Sequence, residues 1–232
     1  PLLRRRARSG RVIAPYHPGF RFDAPAHYRA MDDLAYFYLD VMQTLELRDV
    51  TLVGASLGGW LAMEIAAMDS SRIASMCLLA PAGLKVSGRT SHDMQDIFSL
   101  EPSAVDARSF HDPARMPPAA SPDDVEQLEL AIRAREASAR YAWLPYMNNP
   151  KLGARLHRIR VPSLVLWGRE DRIAAPQVGE VLAGRLPAGT YRTIDECGHY
   201  PHIEQDEIVA AQVASWREQH PTGARAEIKG VA

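Results

Sequence analysis

The stretch Val50-Thr51-Leu52-Val53-Gly54-Ala55-Ser56-Leu57-Gly58-Gly59 decides how the rest of the chain is read. Val50 to Val53 are apolar or β-branched and predict a strand buried on both faces. The residues after Gly59 carry Leu61, Ile65 and Met68 on one stripe and predict a helix. The Gly54-x-Ser56-x-Gly58 pattern therefore falls between a strand and a helix. A turn that sharp forces its central residue into a strained backbone conformation and lifts the side chain to the carboxyl end of the strand, and the flanking glycines avoid clashes. Ser56 is thus a candidate nucleophile. The following helix start offers free N–H groups and a favourable dipole to a developing oxyanion, and the Leu57 N–H is the natural first donor.

A serine hydroxyl needs a base within hydrogen-bond reach, and histidine is the usual one. Of the eight histidines, His199 stands out. It lies in Cys197-Gly198-His199-Tyr200-Pro201, directly after a strand predicted over 189–195. Sites in open α/β sheets are built at that end of the strands. His202 lies beyond Pro201, where a cap or surface role is expected, and His157 and His220 read as surface residues. An orienting acid should also follow a strand. Leu164-Val165-Leu166-Trp167 predicts one, and Gly168-Arg169-Glu170-Asp171 comes next, which leaves Glu170 and Asp171 as candidates. Asp195 is weaker because it precedes its turn.

Further outward, Arg11-Val12-Ile13-Ala14-Pro15 and residues 73–80 predict two more strands, stopped by Pro15 and Pro81. Helices are expected over 27–46, 176–186 and about 204–219. Strands with near-continuous apolar runs alternating with helices predict an α/β fold, a mostly parallel sheet flanked by helices in a single domain. Residues 85–158 break the rhythm, rich in Pro, Ala, Met and charge, with a helical pattern over 123–144. An insertion of that length is too long for a plain crossover and predicts a helical cap over the carboxyl edge of the sheet.

Composition narrows the function classes. The 232 residues are 47% hydrophobic and 24% charged, and Lys+Arg 27 against Asp+Glu 28 gives a net charge of −1. That balance offers no electrostatic reason to expect nucleic acid or an anionic membrane as partner. No apolar run approaches the ~18–20 residues of a membrane helix. Arg4-Arg5-Arg6-Ala7-Arg8 lacks the apolar region and cleavage site of a targeting peptide and reads as a solvated helix face. Cys77 and Cys197 make no disulfide framework, which suggests a cytoplasmic protein, and no Cys/His spacing suits structural zinc.

With these turns placed, the chain resembles the α/β-hydrolase superfamily over nearly its whole length. The likeness is carried by Val12-Ile13-Ala14-Pro15 with Pro18-Gly19-Phe20, by Gly54 to Gly59, by Leu79-Ala80-Pro81-Ala82-Gly83-Leu84, by Pro162 through Asp171 with Pro176, and by Gly198-His199-Tyr200-Pro201-His202-Ile203-Glu204. The resemblance implies a catalytic triad of Ser56, Asp171 and His199 acting on a small-molecule substrate with neither cofactor nor metal. It also implies further strands ahead of residue 11, a central strand between 11–15 and 50–53, and a second oxyanion donor on the loop after that strand. None of these is in the sequence, so the expectation is a fragment lacking the N-terminal part of the sheet. Residues 79–84 and Trp167 to Asp171 look like the carbon–carbon bond hydrolases of aromatic degradation, in which Arg133, Arg135 or Arg140 would hold a substrate carboxylate. Those enzymes carry Asn and Trp where this chain has Ala55 and Tyr200, which puts a carboxylesterase first. Ser56 argues against a haloalkane dehalogenase, which has Asp there. A non-catalytic binding protein of the same fold is the third reading.

Overall fold

The computed structural model describes residues 11–88, 91–119 and 121–220. The basic cluster at Arg4 to Arg8 lies outside them. Four strands form one sheet in the order β1 (Val50–Ala55), β2 (Ile73–Leu79), β3 (Ser163–Gly168) and β4 (Gly189–Ile194), every neighbouring pair parallel. The registers Ala55↔Leu79, Leu79↔Leu166 and Gly168↔Ile194 bring all four carboxyl ends to one edge.

Side chains of the two central strands alternate between two apolar clusters, as the pleat requires. Met76, Leu78, Val165 and Trp167 join one cluster with α1 (Met31–Thr44), α2 (Leu57–Met68) and α6 (Pro176–Arg185). Cys77, Leu79, Leu164 and Leu166 join the other, with Val209, Val213 and Trp216 of α8 (Asp206–Gln219). Burial on both faces explains why β2 and β3 read as unbroken apolar runs. Cys77 and Cys197 are buried thiols within this second layer.

The structure corrects two expectations. Residues 11–15 are irregular and exposed, with Val12 at 38% and Ile13 at 41%, rather than a strand. The sheet ends at β1 among the described residues, and a short apolar run with no neighbouring strand has no ladder to join. The edge also leaves Val53 at 44% exposed, although Ala55 on the same face of β1 packs against the second cluster. The first helix begins at Met31 rather than 27, because Asp33 Oδ2 accepts the N–H groups of Arg29 and Ala30 at 2.7 and 2.9 Å and fixes the start of α1.

Between β2 and β3 lie α3 (Pro102–Ser109), α4 (Val125–Ala142) and the short α5 (Leu152–Arg155). Asp124 caps α4 by accepting from the Gln127 N–H at 3.0 Å. The inserted segment lands on loops that follow strands. Asn148 bridges to Gly83 after β2, and Met94 to Ala174 after β3.

Candidate active site

Three turns at the common carboxyl edge bring the predicted residues together. Ser56 directly follows β1 and caps α2, with φ 48° and ψ −111°, a left-handed conformation that an L-residue adopts only under constraint. The constraint is visible. The Ser56 N–H donates to the Leu79 carbonyl at 2.9 Å, and the Ser56 carbonyl accepts from Gly59, Trp60 and Ala82 at 3.0 to 3.1 Å. A Cβ on Gly54 would stand 2.3 Å from the Gly58 carbonyl oxygen, so the turn closes only with glycine there. Gly58 itself faces open space, so of the two glycines in the motif only Gly54 is needed for room. Leu57 is the first residue of α2, and its N–H has no carbonyl within the helix to bond.

His199 Nε2 lies 2.9 Å from Ser56 Oγ, and His199 Nδ1 lies 2.8 Å from Asp171 Oδ2. The ring is 1% exposed. Asp171 is saturated. Its Oδ2 also accepts from Trp167 Nε1 at 2.9 Å, and its Oδ1 accepts from the N–H groups of Ile173 and Ala174 at 2.8 and 3.0 Å. Four donors aimed at one carboxyl group fix both its position and its acceptor character. With Asp171 accepting from Nδ1, the free lone pair of the ring is on Nε2, where it can take the proton from Oγ.

The competing acids are occupied elsewhere. Glu170 Oε2 accepts from the Cys197 N–H at 2.9 Å and braces the turn, and Asp195 pairs with Arg169. His202, expected in a cap or surface role, is half-buried. It lies in α7 (Pro201–Glu204), its Nδ1 is buried with no hydrogen-bond partner among the described residues, and its pKa is pushed down to about 4 by burial and, secondarily, by His199. Burial, with the carboxyl groups of Glu204, Asp171 and Glu170 adding to it, raises the Cys197 thiol and keeps it protonated. His157 and His220 bond to the Ala154 and Trp216 carbonyls. A cleft of about 1060 Å³ opens elsewhere, between α1, α2 and the residues after α4, lined by Trp60, Glu64 and Asn149 and not by the triad.

The profile of the alpha/beta hydrolase fold family matches residues 1–206. The chain belongs to the alpha/beta hydrolase fold family. Among similar proteins, this alpha/beta hydrolase is 26% identical over 221 residues to a 2-hydroxymuconate semialdehyde hydrolase of Pseudomonas sp. (strain CF600), covering 90% of this chain and 75% of that one. It is 26% identical over 212 residues to a 2-hydroxy-6-oxo-2,4-heptadienoate hydrolase of Pseudomonas putida F1, covering 86% and 75%. In fold it matches a meta-cleavage product hydrolase, CumD of Pseudomonas fluorescens IP01, with TM-score 0.72, 20% identity and coverage of 95% and 84%. It also matches an esterase of Exiguobacterium antarcticum with TM-score 0.66, 19% identity and coverage of 87% and 79%. No helix among the described residues is long and apolar enough to cross a membrane.

Sequence reasoning passed over several residues that build the site. Trp167 reads in the sequence as the end of a strand and the start of the stretch that carries the family likeness, with no role of its own, yet its indole N–H is one of the donors on Asp171. Glu204 and Arg172 stand beside the triad turns in sequence and tie those turns to α3. Their proximity to His199 and Asp171 was a signal, but their partners in the insertion are far away in sequence.

Proposed function

We propose that this alpha/beta hydrolase cleaves a carboxylic ester of a small molecule through an acyl-enzyme on Ser56. The observation that carries the reading is the 2.9 Å approach of His199 Nε2 to a Ser56 Oγ held at a strained strand-to-helix turn. Ser56 Oγ attacks the carbonyl carbon while His199 Nε2 takes its proton, and Asp171 stabilises the imidazolium formed. The Leu57 N–H donates to the oxyanion. As the tetrahedral adduct collapses, His199 returns the proton to the leaving alkoxide. Water then attacks the acyl carbon with His199 again as base, and the acid departs. Residues 85–158 act as a cap that shapes the acyl pocket, a role supported by their contacts with the loops after β2 and β3. The substrate is a small molecule rather than nucleic acid or membrane, and the buried thiols favour the cytoplasm.

The names of the relatives favour a second reading, a carbon–carbon bond hydrolase acting on a dienoic keto acid. That chemistry needs a cation for the substrate carboxylate. The expected arginines are engaged otherwise: Arg133 pairs with Asp23 and Glu129, Arg140 with Glu136, and Arg135 donates to the Phe98 carbonyl. The ester reading stays first because Ala55 and Tyr200 stand where the carbon–carbon bond hydrolases carry Asn and Trp. The test is fluorophosphonate labelling of the wild type against Ser56→Ala, followed by kcat/KM on p-nitrophenyl acetate and on 2-hydroxymuconate semialdehyde. Labelling lost in Ser56→Ala, with ester turnover, supports the proposal. A preference of about a hundredfold for the dienoic substrate moves the assignment to the second reading. A folded protein that neither labels nor turns over either substrate overturns the serine-hydrolase reading and favours the binding protein.

A further inference from the structure

Glu204 has no place in the proton relay, yet its carboxyl group is only 2% exposed and its two oxygens face in different directions. Oε2 accepts from the N–H of Gly198, the residue before His199, at 2.6 Å. Oε1 accepts from the N–H groups of His111 and Asp112 at 2.7 and 2.9 Å, just past the end of α3. The N–H of His199 itself donates to the Ser109 carbonyl at 2.7 Å. Two successive amides of the base-bearing turn are therefore fastened to the inserted segment, one through Glu204 and one directly. The fit leaves no slack, since a Cβ on Gly198 would stand 2.3 Å from the Ser109 carbonyl oxygen.

The acid-bearing turn is fastened to the same place. Arg172, next to Asp171, donates to the carbonyls of Ala107 and Phe110 at 2.6 and 2.8 Å. The Phe110 ring packs on Tyr200 with centroids 5.4 Å apart. The carboxyl end of α3 thus serves as an anvil for both loops that hold the base and its orienter.

We propose that Glu204 is a positioning residue: it locks the His199 turn to the end of α3, so that His199 Nε2 stands in register with Ser56 only while the inserted segment is seated. The proposal rests on the serine-hydrolase reading given above. A buried carboxylate that merely satisfied three N–H groups would affect stability alone. A lock affects the rate through His199 and leaves substrate binding nearly untouched.

The test uses Glu204→Gln in the full chain. Glutamine keeps the size but offers one acceptor oxygen, so its amide N–H₂ must face a backbone N–H on one side of the lock. The expected result is a kcat for p-nitrophenyl acetate lower by about 10- to 100-fold with KM changed by less than about twofold, the scale of a base displaced by about an ångström. In a His199→Ala background the same substitution should change the residual rate by less than about twofold, because the pair acts as a unit. Glu204→Asp, which restores the carboxylate on a shorter stem, should recover part of kcat. A wild-type kcat in folded Glu204→Gln, or an equal loss in both backgrounds, overturns the lock. If Ser56→Ala and His199→Ala keep full activity, it is the hydrolase reading that fails instead. Hydrogen exchange on the native protein decides the matter even where the variant does not fold. A lock predicts one common opening rate for the Gly198, His111 and Asp112 amides, and exchange of His111 and Asp112 more than about tenfold faster than Gly198 refutes it.

Discussion

Replacing Asp171 by asparagine alters one atom of the relay, and the surrounding donors dictate the outcome. The carboxyl group accepts from four of them: His199 Nδ1 and Trp167 Nε1 on Oδ2, and the Ile173 and Ala174 amides on Oδ1. Asparagine has one acceptor oxygen and one N–H₂ and must choose. If the oxygen stays on the backbone amides, only the Trp167 N–H faces a donor, and it still has the Ala174 carbonyl at 3.1 Å. If the oxygen turns to His199 and Trp167, both backbone amides are left so. Each unmatched buried donor costs about 1–3 kcal/mol, so the first orientation is favoured by at least that amount, roughly 5- to 150-fold or more in population. In that orientation the amide donates to Nδ1, the ring proton moves to Nε2, and Nε2 can no longer accept from Ser56 Oγ.

The minority orientation retains the useful tautomer but lacks the charge that stabilises the imidazolium. The expected loss in kcat is therefore about 10² to 10⁴, the upper figure matching the cost of a wrong tautomer in related triads. The melting temperature should fall by less than about 4 °C, because the Trp167 N–H keeps the Ala174 carbonyl and only about 1 kcal/mol is lost, at about 2–4 °C per kcal/mol for a domain of this size. The assay is kcat/KM on p-nitrophenyl acetate with the fluorophosphonate labelling rate of Ser56, each set beside a thermal melt. A folded Asp171→Asn protein within about fivefold of wild type would refute the reasoning, because Glu170 is committed to the Cys197 amide and has no route to His199.

Other outcomes follow from the same geometry. The folded-state pKa of His202 lies at about 4 against 6.5 for the free side chain, so from pH 6.5 down to about 4 the unfolded chain binds a proton that the native protein refuses. Its contribution is fully present above pH 6.5 and is lost across that window, up to about 3 kcal/mol, and denaturant melts of His202→Asn should show a shallower acid slope than wild type. Gly198→Ala should lower kcat by at least about tenfold, because its Cβ would meet the Ser109 carbonyl oxygen at 2.3 Å and push the His199 turn off α3. Iodoacetamide should leave Cys197 unmodified in the native protein while alkylating it in denaturant, since burial raises the thiol above its ordinary value, and mass spectrometry reads the difference. Val53→Thr, at an edge position 44% exposed, should change stability by less than about 0.5 kcal/mol, whereas Leu78→Ala, fully buried on β2, should cost about 2–5 kcal/mol in the same denaturant titration.

What was legible in the sequence was whatever the backbone settles within a few residues. β2 and β3 read as apolar runs because they are buried on both faces, and Ser56, Asp171 and His199 are legible because each sits in a turn after a strand, Asp171 after the buried β3 and Ser56 and His199 after the edge strands β1 and β4. The orienting acid was ambiguous between Glu170 and Asp171 from the residues alone, since only the fold shows which carboxyl group turns toward Nδ1. Residues 11–15 show the opposite case. Their apolar character is strand-like, but a strand is made by its neighbour, and none lies beside them among the described residues. Helical spacing makes the Arg133–Glu129 and Arg140–Glu136 pairs legible, whereas the second partner of Arg133, Asp23, lies 110 residues away. The Glu204 contacts with His111 and Asp112 span 93 and 92 residues, and no local pattern encodes them. The turns supply the chemistry and α3 supplies their register. An insertion that changed only the substrate pocket would leave the relay alone, whereas one that reseats α3 acts on the base itself.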